Sequence, residues 1–516
     1  MKRNTRGRTL ASLCIAAVVA GMLAACAGSE VKGNALDNTG SSNSFRNEVR
    51  LKLDIMLPAY YKKSPEDNSP VIRLLEELTG TELHFIFVPN SSYPDNLNIA
   101  LASDMLPKLT VVQSKSASFI QAVRAGTFWE LGPYLQEYRN LGQANPVVLN
   151  NASIDGKTYG IYRSRTLGRM GVIIRKDWLN NLGLEIPKTI DEFYQVLKAF
   201  TILDPDGNGK DDTYGMVVSR YTGPWDTMQV WFGAPNGWGE DENGNLIPAH
   251  LTPEYMEALR FFRRLYAEGL INRDFAVMDP AKWHDPVVNG EAGVIVDVSD
   301  AASRIEGKIR RIEGLDEDQE QVMDVFGAPQ GPKGRRDMPT SGYSGLIAVS
   351  KTAVKTEAEL KKVLDFLDRV NDEDVQVLLG NGIAGRHFED RGDYIAPSTD
   401  GELMTELQNL NQLLMFIPEN RTRKVEQTGL REKIRELQKA NEEIIIANPA
   451  EPLISDIYAV KGQQLDEFIS DARTMYILGQ IDEEGHQTAI EEWRRNGGDE
   501  YMEEINALYR IVRERD

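Results

Sequence analysis

The segment ILDPDGNGKDDTYG, residues 202–215, sets Asp204, Asp206 and Asn208 two residues apart and follows them with Gly209. Oxygen donors at alternate positions of a tight loop face one point, and the glycine permits the sharp turn. This is the first half of the calcium pattern D-x-[DN]-x-[DN]-G. The second half departs from it: an EF-hand places a bidentate Glu at the twelfth position, which here is Gly215. With the Lys210 carbonyl and Asp212 the loop offers about five oxygens, and water completes the roughly six to eight that Ca²⁺ takes. The expectation is a structural Ca²⁺ held by Asp204, Asp206, Asn208, Lys210 and Asp212; the alternative is a metal-free Asp/Asn/Gly turn. No second loop and no apolar groove accompany it, so a calcium sensor is not expected.

Three of the seven tryptophans, Trp225, Trp231 and Trp238, fall with Phe232 inside TGPWDTMQVWFGAPNGW. Their neighbours are Gly, Pro and Asn, so the segment reads as loop-rich. Such a cluster serves either as the apolar wall of a ligand pocket or as ordinary core, and the VWF run suits the second. Asp297 ends the strand-like GVIVD and is a candidate hydrogen-bond acceptor. Catalytic chemistry has little to stand on. With 78 acidic residues, carboxylate pairs suited to glycoside hydrolysis arise by number alone. The five histidines, His84, His250, His284, His387 and His486, have no metal-ligand spacing. Neither a G-x-S-x-G elbow nor a phosphate loop occurs. Nothing selects a nucleophile, and the expectation is a non-enzyme.

The chain of 516 residues carries a formal charge of −20. Two or three domains fit this length, and no basic patch marks a nucleic-acid partner. Lys2, Arg3, Arg6 and Arg8 precede the uncharged LASLCIAAVVAGMLAA, the basic and apolar regions of a signal peptide. The peptide ends in LAAC, the form of a bacterial lipobox, so residues 1–25 read as a leader and Cys26 as the lipidated residue. An uncleaved transmembrane anchor is the competing reading, but the apolar run is short for a span. Cleavage before Cys26 leaves 54 basic against 78 acidic residues, a charge of −24, and no pair of cysteines for a disulfide. Residues 26–48 are small and polar and read as a flexible tether.

The elements that must position these groups follow in order. VRLKLDIMLP alternates as a strand, SPVIRLLEELTG is an amphipathic helix stopped by Gly80, and TELHFIFVP is a second strand. This β-α-β opening implies a parallel sheet with a crossover helix. Thr189 and Glu192 form a capping box before a helix that leads into the acidic loop. Strands recur at EAGVIVDVS and SGLIAVS, and the chain beyond residue 402 reads as largely helical.

Eleven stretches between residue 23 and about 390 resemble, in register, the extracellular solute-binding lipoproteins of carbohydrate ABC transporters. They include LNIALASDMLPKLTVV, AGTFWELGPYL, IRKDWLNNLGLEIPKTIDEFYQVLKAF, DPDGNGKDDTYG, AEGLINRDF, NGEAGVIV, SGYSGLIAVSK and GNGIAGRHFE. The branch is that of the LplA-type and alginate-oligosaccharide-binding proteins. The resemblance implies an α/β fold of the type II periplasmic-binding-protein kind, two discontinuous lobes with the ligand in the cleft between them. It places lobe 1 at 49–165 plus about 345–390 and lobe 2 at about 166–344 plus 391–516. The crossings then fall near 160–172 and 340–350. One departure is Lys108, where the family has an acid; Asp104 stands shifted in the same loop.

The resemblance further implies a non-catalytic receptor on the outer face of the membrane. It captures an oligosaccharide and delivers it to membrane permease subunits, acting as a monomer. A surface polysaccharide-degrading enzyme and a non-transport adhesin are the alternatives. Sugar rings pair an apolar face with aromatic side chains and polar edges with Asp, Asn or Arg. Tyr162, Trp283, Tyr343, Arg386 and His387 match positions near the family's hinge or its G-x-x-G-x-H stretch, and join Trp225, Trp231, Trp238 and Asp297 as ligand candidates. Arg163, Arg165 and Arg169 near a crossing either hint at an acidic sugar or belong to a solvated loop. Alginate binders carry the acidic loop with calcium, often with an acid where this chain has Thr213.

Overall fold

The computed structural model describes residues 50–103, 105–316, 320–419, 421–425 and 429–514. The leader 1–25, Cys26, the tether 26–48 and Asp104 lie outside the described residues. Along the chain run β1 (Leu51–Ala59), β2 (Thr81–Pro89), β3 (Leu109–Val112), β4 (Ile161–Ser164), β5 (Met170–Arg175), β6 (Tyr214–Met216), β7 (Trp238–Glu240), β8 (Leu246–Pro248), β9 (Ala292–Val298), β10 (Met323–Phe326) and β11 (Tyr343–Val349).

Five strands form one sheet in the order β2-β1-β3-β11-β4. β1 and β2 pair in parallel over nine residues, from Leu51 opposite Thr81 to Ala59 opposite Pro89. The helix between them, Pro70–Thr79, starts where the Ser69 hydroxyl accepts from the Ile72 N–H and Pro70 needs no hydrogen-bond partner. It stops at Gly80, whose φ of 66° an L side chain resists. Its Val71, Ile72 and Leu75 are wholly buried against the sheet. β11 returns from far along the sequence to pair antiparallel with both β3 and β4.

A second sheet has the order β10-β5-β9-β6. Every residue of β5 is buried, as a central strand covered on both faces requires. Two separate apolar clusters cover its faces, one around Trp178, Phe193, Phe200 and Phe262, the other around Ile295, Ile305 and Met323. The chain therefore forms two lobes and passes between them at residues 165–169 and 327–342, and once more between Ile417 and Leu430.

Two of the boundaries expected from the sequence move. The second passage ends before 343, because Tyr343–Val349 is already paired inside the first sheet. Residues 391–417 do not belong wholly to the second lobe: Leu410, Leu413, Met415 and Ile417 are buried in the first core, against Leu367 and Val370. The chain beyond 429 is largely helical, with residues 442–455 as a loop between two helices. Its helix Asp456–Ile477 packs on the second lobe's helix Pro253–Ala267 and on Glu483–Trp493. The same region is tied to the first lobe, where Lys115 Nζ donates to the Glu451 carbonyl at 2.9 Å and Arg124 Nη1 to Asp456 at 2.9 Å.

Candidate ligand-binding site

In open α/β sheets the ligand crevice lies at the carboxyl ends of the strands. Here β1 runs out into Tyr60 and Tyr61, β2 into Asn90 and β3 into Gln113. Gln113 Nε2 joins the three ends, donating to Tyr60 Oη at 2.9 Å and Asn90 Oδ1 at 2.7 Å. Both tyrosines remain 54% exposed. Their backbone is held from below by Asn409, a fully buried residue with φ of 67°. Its Oδ1 accepts from the N–H groups of Tyr60 (2.8 Å) and Tyr61 (3.1 Å), and its Nδ2 donates to the Lys63 carbonyl (3.0 Å).

The second lobe offers a matching edge. Beyond β6 lies Tyr221, half exposed, whose ring meets Trp283 edge-on at 5.7 Å. Trp283 is fixed in turn by donating Nε1–H to the Val217 carbonyl at 3.2 Å. At the end of β9, Asp297 accepts from Val298 N–H and stands 3.0 Å from His284 Nε2. Three residues on, Asp300 binds Arg169 of the first passage. Burial, with Asp297 and Asp226 nearby, raises the Tyr221 hydroxyl and keeps it a donor.

Next to Tyr221 opens a cavity of about 990 Å³, between the helix Gly223–Trp231, the β7–β8 hairpin and the C-terminal helices. Trp238, Tyr501 and Tyr458 form its aromatic wall: Trp238 meets Tyr501 edge-on at 5.2 Å, and Tyr501 stacks on Tyr458 at 5.0 Å. Polar groups are set between them. Tyr458 Oη donates to Asp466 at 2.6 Å, and the buried Arg473 donates to Asp226 at 2.7 Å. Burial raises the Asp466 carboxyl. A second cavity of about 270 Å³ shares Asn236, Met338, Asn448 and Glu451 with the first and is walled by Val147 and Asn151 of the first lobe. Apolar ring faces beside carboxylates, amides and phenols suit a polyhydroxylated solute.

The residues singled out in the sequence are dispersed. Trp238 lines the large cavity, and Trp283 and Asp297 stand at the second-lobe edge. Tyr343 opens β11 at the second passage, its hydroxyl pushed up to about 12 by burial and by Glu451. Trp225 and Trp231 are core residues: their segment is a helix, buried along nearly its whole length. Trp225 packs on Phe262 and Phe275, and Trp231 on Phe193. Tyr162 is 3% exposed and its hydroxyl accepts from Asn145 N–H at 2.8 Å, a structural contact. Arg386 is paired with Glu406 and lines none of these cavities, while His387 beside it is buried and accepts from Ile383 N–H. Lys108, the departure noted above, bridges to Glu359 and the Lys52 carbonyl.

The acidic loop closes on itself. Asn208 Nδ2 donates to Asp206 (2.7 Å) and Asp212 (3.2 Å), and the Gly209 N–H donates to Asp204 (3.0 Å). Asp204, Gly207 and Gly209 all take positive φ, the coiling that brings alternate side chains to one point. The donor types fit a hard cation, with the Asn208 amide at the centre they share. Among the described residues no three acidic or histidine side chains are gathered closely enough to form a metal cluster. Thr213 takes no part in the loop's network: its hydroxyl donates to the Phe200 carbonyl at 2.8 Å and anchors the loop to the preceding helix.

Residues 62–376 match the family model of the bacterial extracellular solute-binding proteins. The chain belongs to that family. It is 48% identical over 496 residues to the lipoprotein LipO of Bacillus subtilis, spanning 95% of this chain and 96% of that one. It is 35% identical over 500 residues to the polygalacturonan/rhamnogalacturonan-binding protein YtcQ of the same organism, with the same coverage. Among solved structures, an extracellular solute-binding protein from Bifidobacterium longum subsp. infantis superposes with a TM-score of 0.70 at 18% identity, over 90% of this chain and 98% of that one. An EF-hand mutant of the Streptococcus pneumoniae substrate-binding protein FusA with fructo-nystose gives 0.60 at 18% identity, over 90% of this chain and all of that one. The alginate-binding protein AlgQ2 without calcium ion gives 0.58 at 18% identity, over 89% and 98%. These structural likenesses show the two-lobed α/β fold.

Tyr60 and Tyr61 went unread although LPAYY follows the first strand directly, the position the strand-end rule marks. Tyr458, Asp466 and Tyr501 carry no local signal, since they reach the cavity from helices more than two hundred positions beyond Trp238.

Proposed function

We propose that this chain is the capture component of an oligosaccharide importer of the ABC type. Anchored by lipid at Cys26 on the outer face of the membrane, it encloses the sugar between its lobes and presents it to membrane permease subunits. It works as a monomer and does no chemistry on the ligand. The observation that carries this reading is that each lobe carries half-exposed tyrosines at its strand ends, Tyr60 and Tyr61 on one and Tyr221 on the other, and that a cavity walled by Trp238, Tyr501 and Asp466 opens beside Thr222. The relative named as a lipoprotein supports the anchor, and the relative named for binding polygalacturonan supports a carbohydrate. Both relatives are named for binding or anchoring, which supports a binder over an enzyme. Ca²⁺, held by Asp204, Asp206, Asn208, Asp212 and the Lys210 carbonyl, would pin the loop between the helix Ile190–Ile202 and β6.

Calorimetric titration with oligosaccharides tests the reading. Tyr60→Ala and Tyr221→Ala are each expected to weaken binding about tenfold or more, the loss of roughly 1.4 kcal/mol or above, while the melting temperature holds. Unchanged affinity in both variants would place the sugar elsewhere.

A further inference from the structure

Three arginines stand at the first passage between the lobes, and the structure treats them differently. Arg169 is satisfied: Nε donates to Asp300 at 2.8 Å, and the other oxygen of that carboxylate accepts from Gln438 at 2.6 Å. Arg163 and Arg165 have no carboxylate partner among the described residues. Both reach Ser344 instead, Arg163 Nη1 donating to its carbonyl at 2.9 Å and Arg165 Nη2 to its hydroxyl at 3.2 Å. The buried Nε of Arg163 has no hydrogen-bond partner among the described residues. The two side chains leave β4 and its continuation two residues apart, on one side of the strand.

Arg165 lines a cavity of about 340 Å³ that spans the passage, from Ser164 and Phe416 of the first lobe to Asp300 of the second. Two carboxylates face that cavity. Asp300 is taken by Arg169, and Glu419 accepts from the Ser164 hydroxyl at 2.7 Å. Burial holds both Arg163 and Arg165 below the usual arginine range; the Arg165 charge adds to this at Arg163 and the Arg169 charge at Arg165, while Tyr60 acts on both, and Asp300 on Arg165, in the opposite sense. Two like charges kept partly desolvated, with no carboxylate in hydrogen-bond contact among the described residues, are a cost to the fold. Bound to an anion, the same pair becomes favourable, because a planar guanidinium grips a carboxylate through two parallel hydrogen bonds.

We infer that Arg163 and Arg165 form a carboxylate-binding subsite of the interlobe cleft, and that the captured oligosaccharide contains uronic acid residues. The inference rests on the oligosaccharide-receptor reading and names the class of sugar. Tyr60 supplies the ring face beside the subsite, and the two arginines take the acid group of the sugar that lies on it.

The test uses the purified protein and matched pairs of trisaccharides. Trigalacturonate, trimannuronate and triglucuronate are each compared by calorimetry with their carboxyl-reduced, neutral counterparts. At least one uronate is expected to bind about tenfold tighter than its neutral partner, with the advantage shrinking as salt is raised. Arg165→Gln should bring the two within about twofold with a melting temperature equal or higher, since it removes one of two like charges and one hydrogen bond, to the Ser344 hydroxyl. Arg163→Gln should reduce the preference as well. A neutral sugar bound as tightly as its acid, or a preference that survives both substitutions, overturns the subsite and leaves the receptor reading standing. Binding of neither class overturns the receptor reading, and the subsite with it.

Discussion

Asp337 is a carboxylate 2% exposed in the second passage, held by its own backbone between Ile444 and Ile446. Burial pushes its carboxyl up to about 7 from an ordinary 3.8, against the opposing pull of the Met338 N–H and Arg335. The native fold thus keeps a proton that the unfolded chain releases above pH 4. The stability linked to that proton is fully present in acid and is lost as pH rises through about 7. A shift of this size corresponds to at most about 4 kcal/mol. Asp337→Asn is therefore expected to raise the melting temperature at pH 8 by more than at pH 5. Equal changes at both pH values would mean that the buried acid is not the cause. A second residue test concerns packing. A Cβ on Gly331 would lie 1.8 Å from the Trp231 carbonyl oxygen, so Gly331→Ala should cost about 3 kcal/mol or more in denaturant unfolding. A loss under about 1 kcal/mol would show that the contact relaxes. Residue roles were the least legible part of the sequence. A tryptophan among Gly, Pro and Asn looks the same whether it lines a cavity, as Trp238 does, or fills a core, as Trp231 does. Only burial by distant helices separates the two.

Elements were legible wherever their signal is local. The opening strand, capped helix and parallel strand follow from alternation, Ser69 and Gly80, all within forty residues. The capping box is formed as its spacing implies, Thr189 Oγ1 accepting from Glu192 N–H at 3.1 Å and the Glu192 carboxylate accepting from Thr189 N–H at 3.3 Å. The helix Gly223–Trp231 was not legible. It starts with Gly-Pro, and nearly all of its residues are buried, so it lacks the polar face by which periodicity marks a helix. The acidic loop supports an element-scale prediction. If Ca²⁺ fastens the helix Ile190–Ile202 to β6, chelation should lower the melting temperature by several degrees and calcium should restore it. Asp206→Ala should abolish that difference. Identical melting with calcium and with chelator would contradict a metal role.

At the scale of the whole molecule, two lobes share a chain that crosses between them three times, and the C-terminal region contacts both, meeting the first lobe at Lys115 and Arg124. The Arg124–Asp456 pair is exposed and contributes little stability, about 0–1 kcal/mol, so it does not lock the lobes against hinge motion. Small-angle scattering is expected to show a smaller radius of gyration with bound oligosaccharide than without, as the lobes close. An unchanged radius at saturation would indicate a preformed site without closure. The two-lobed architecture was legible through the resemblance of its stretches to the solute-binding lipoproteins. The return of residues 410–417 to the first core was not, because a short apolar run does not say which lobe it will fill.

Whether this chain is an oligosaccharide receptor is decided by a thermal-shift screen of the purified protein against neutral and acidic oligosaccharides, with the bound sugar recovered and weighed by mass spectrometry. A receptor should show a clear rise in melting temperature for one class of oligosaccharide, recovered at unchanged mass. A flat response across the sugars, or recovery of cleaved products, would contradict the receptor reading.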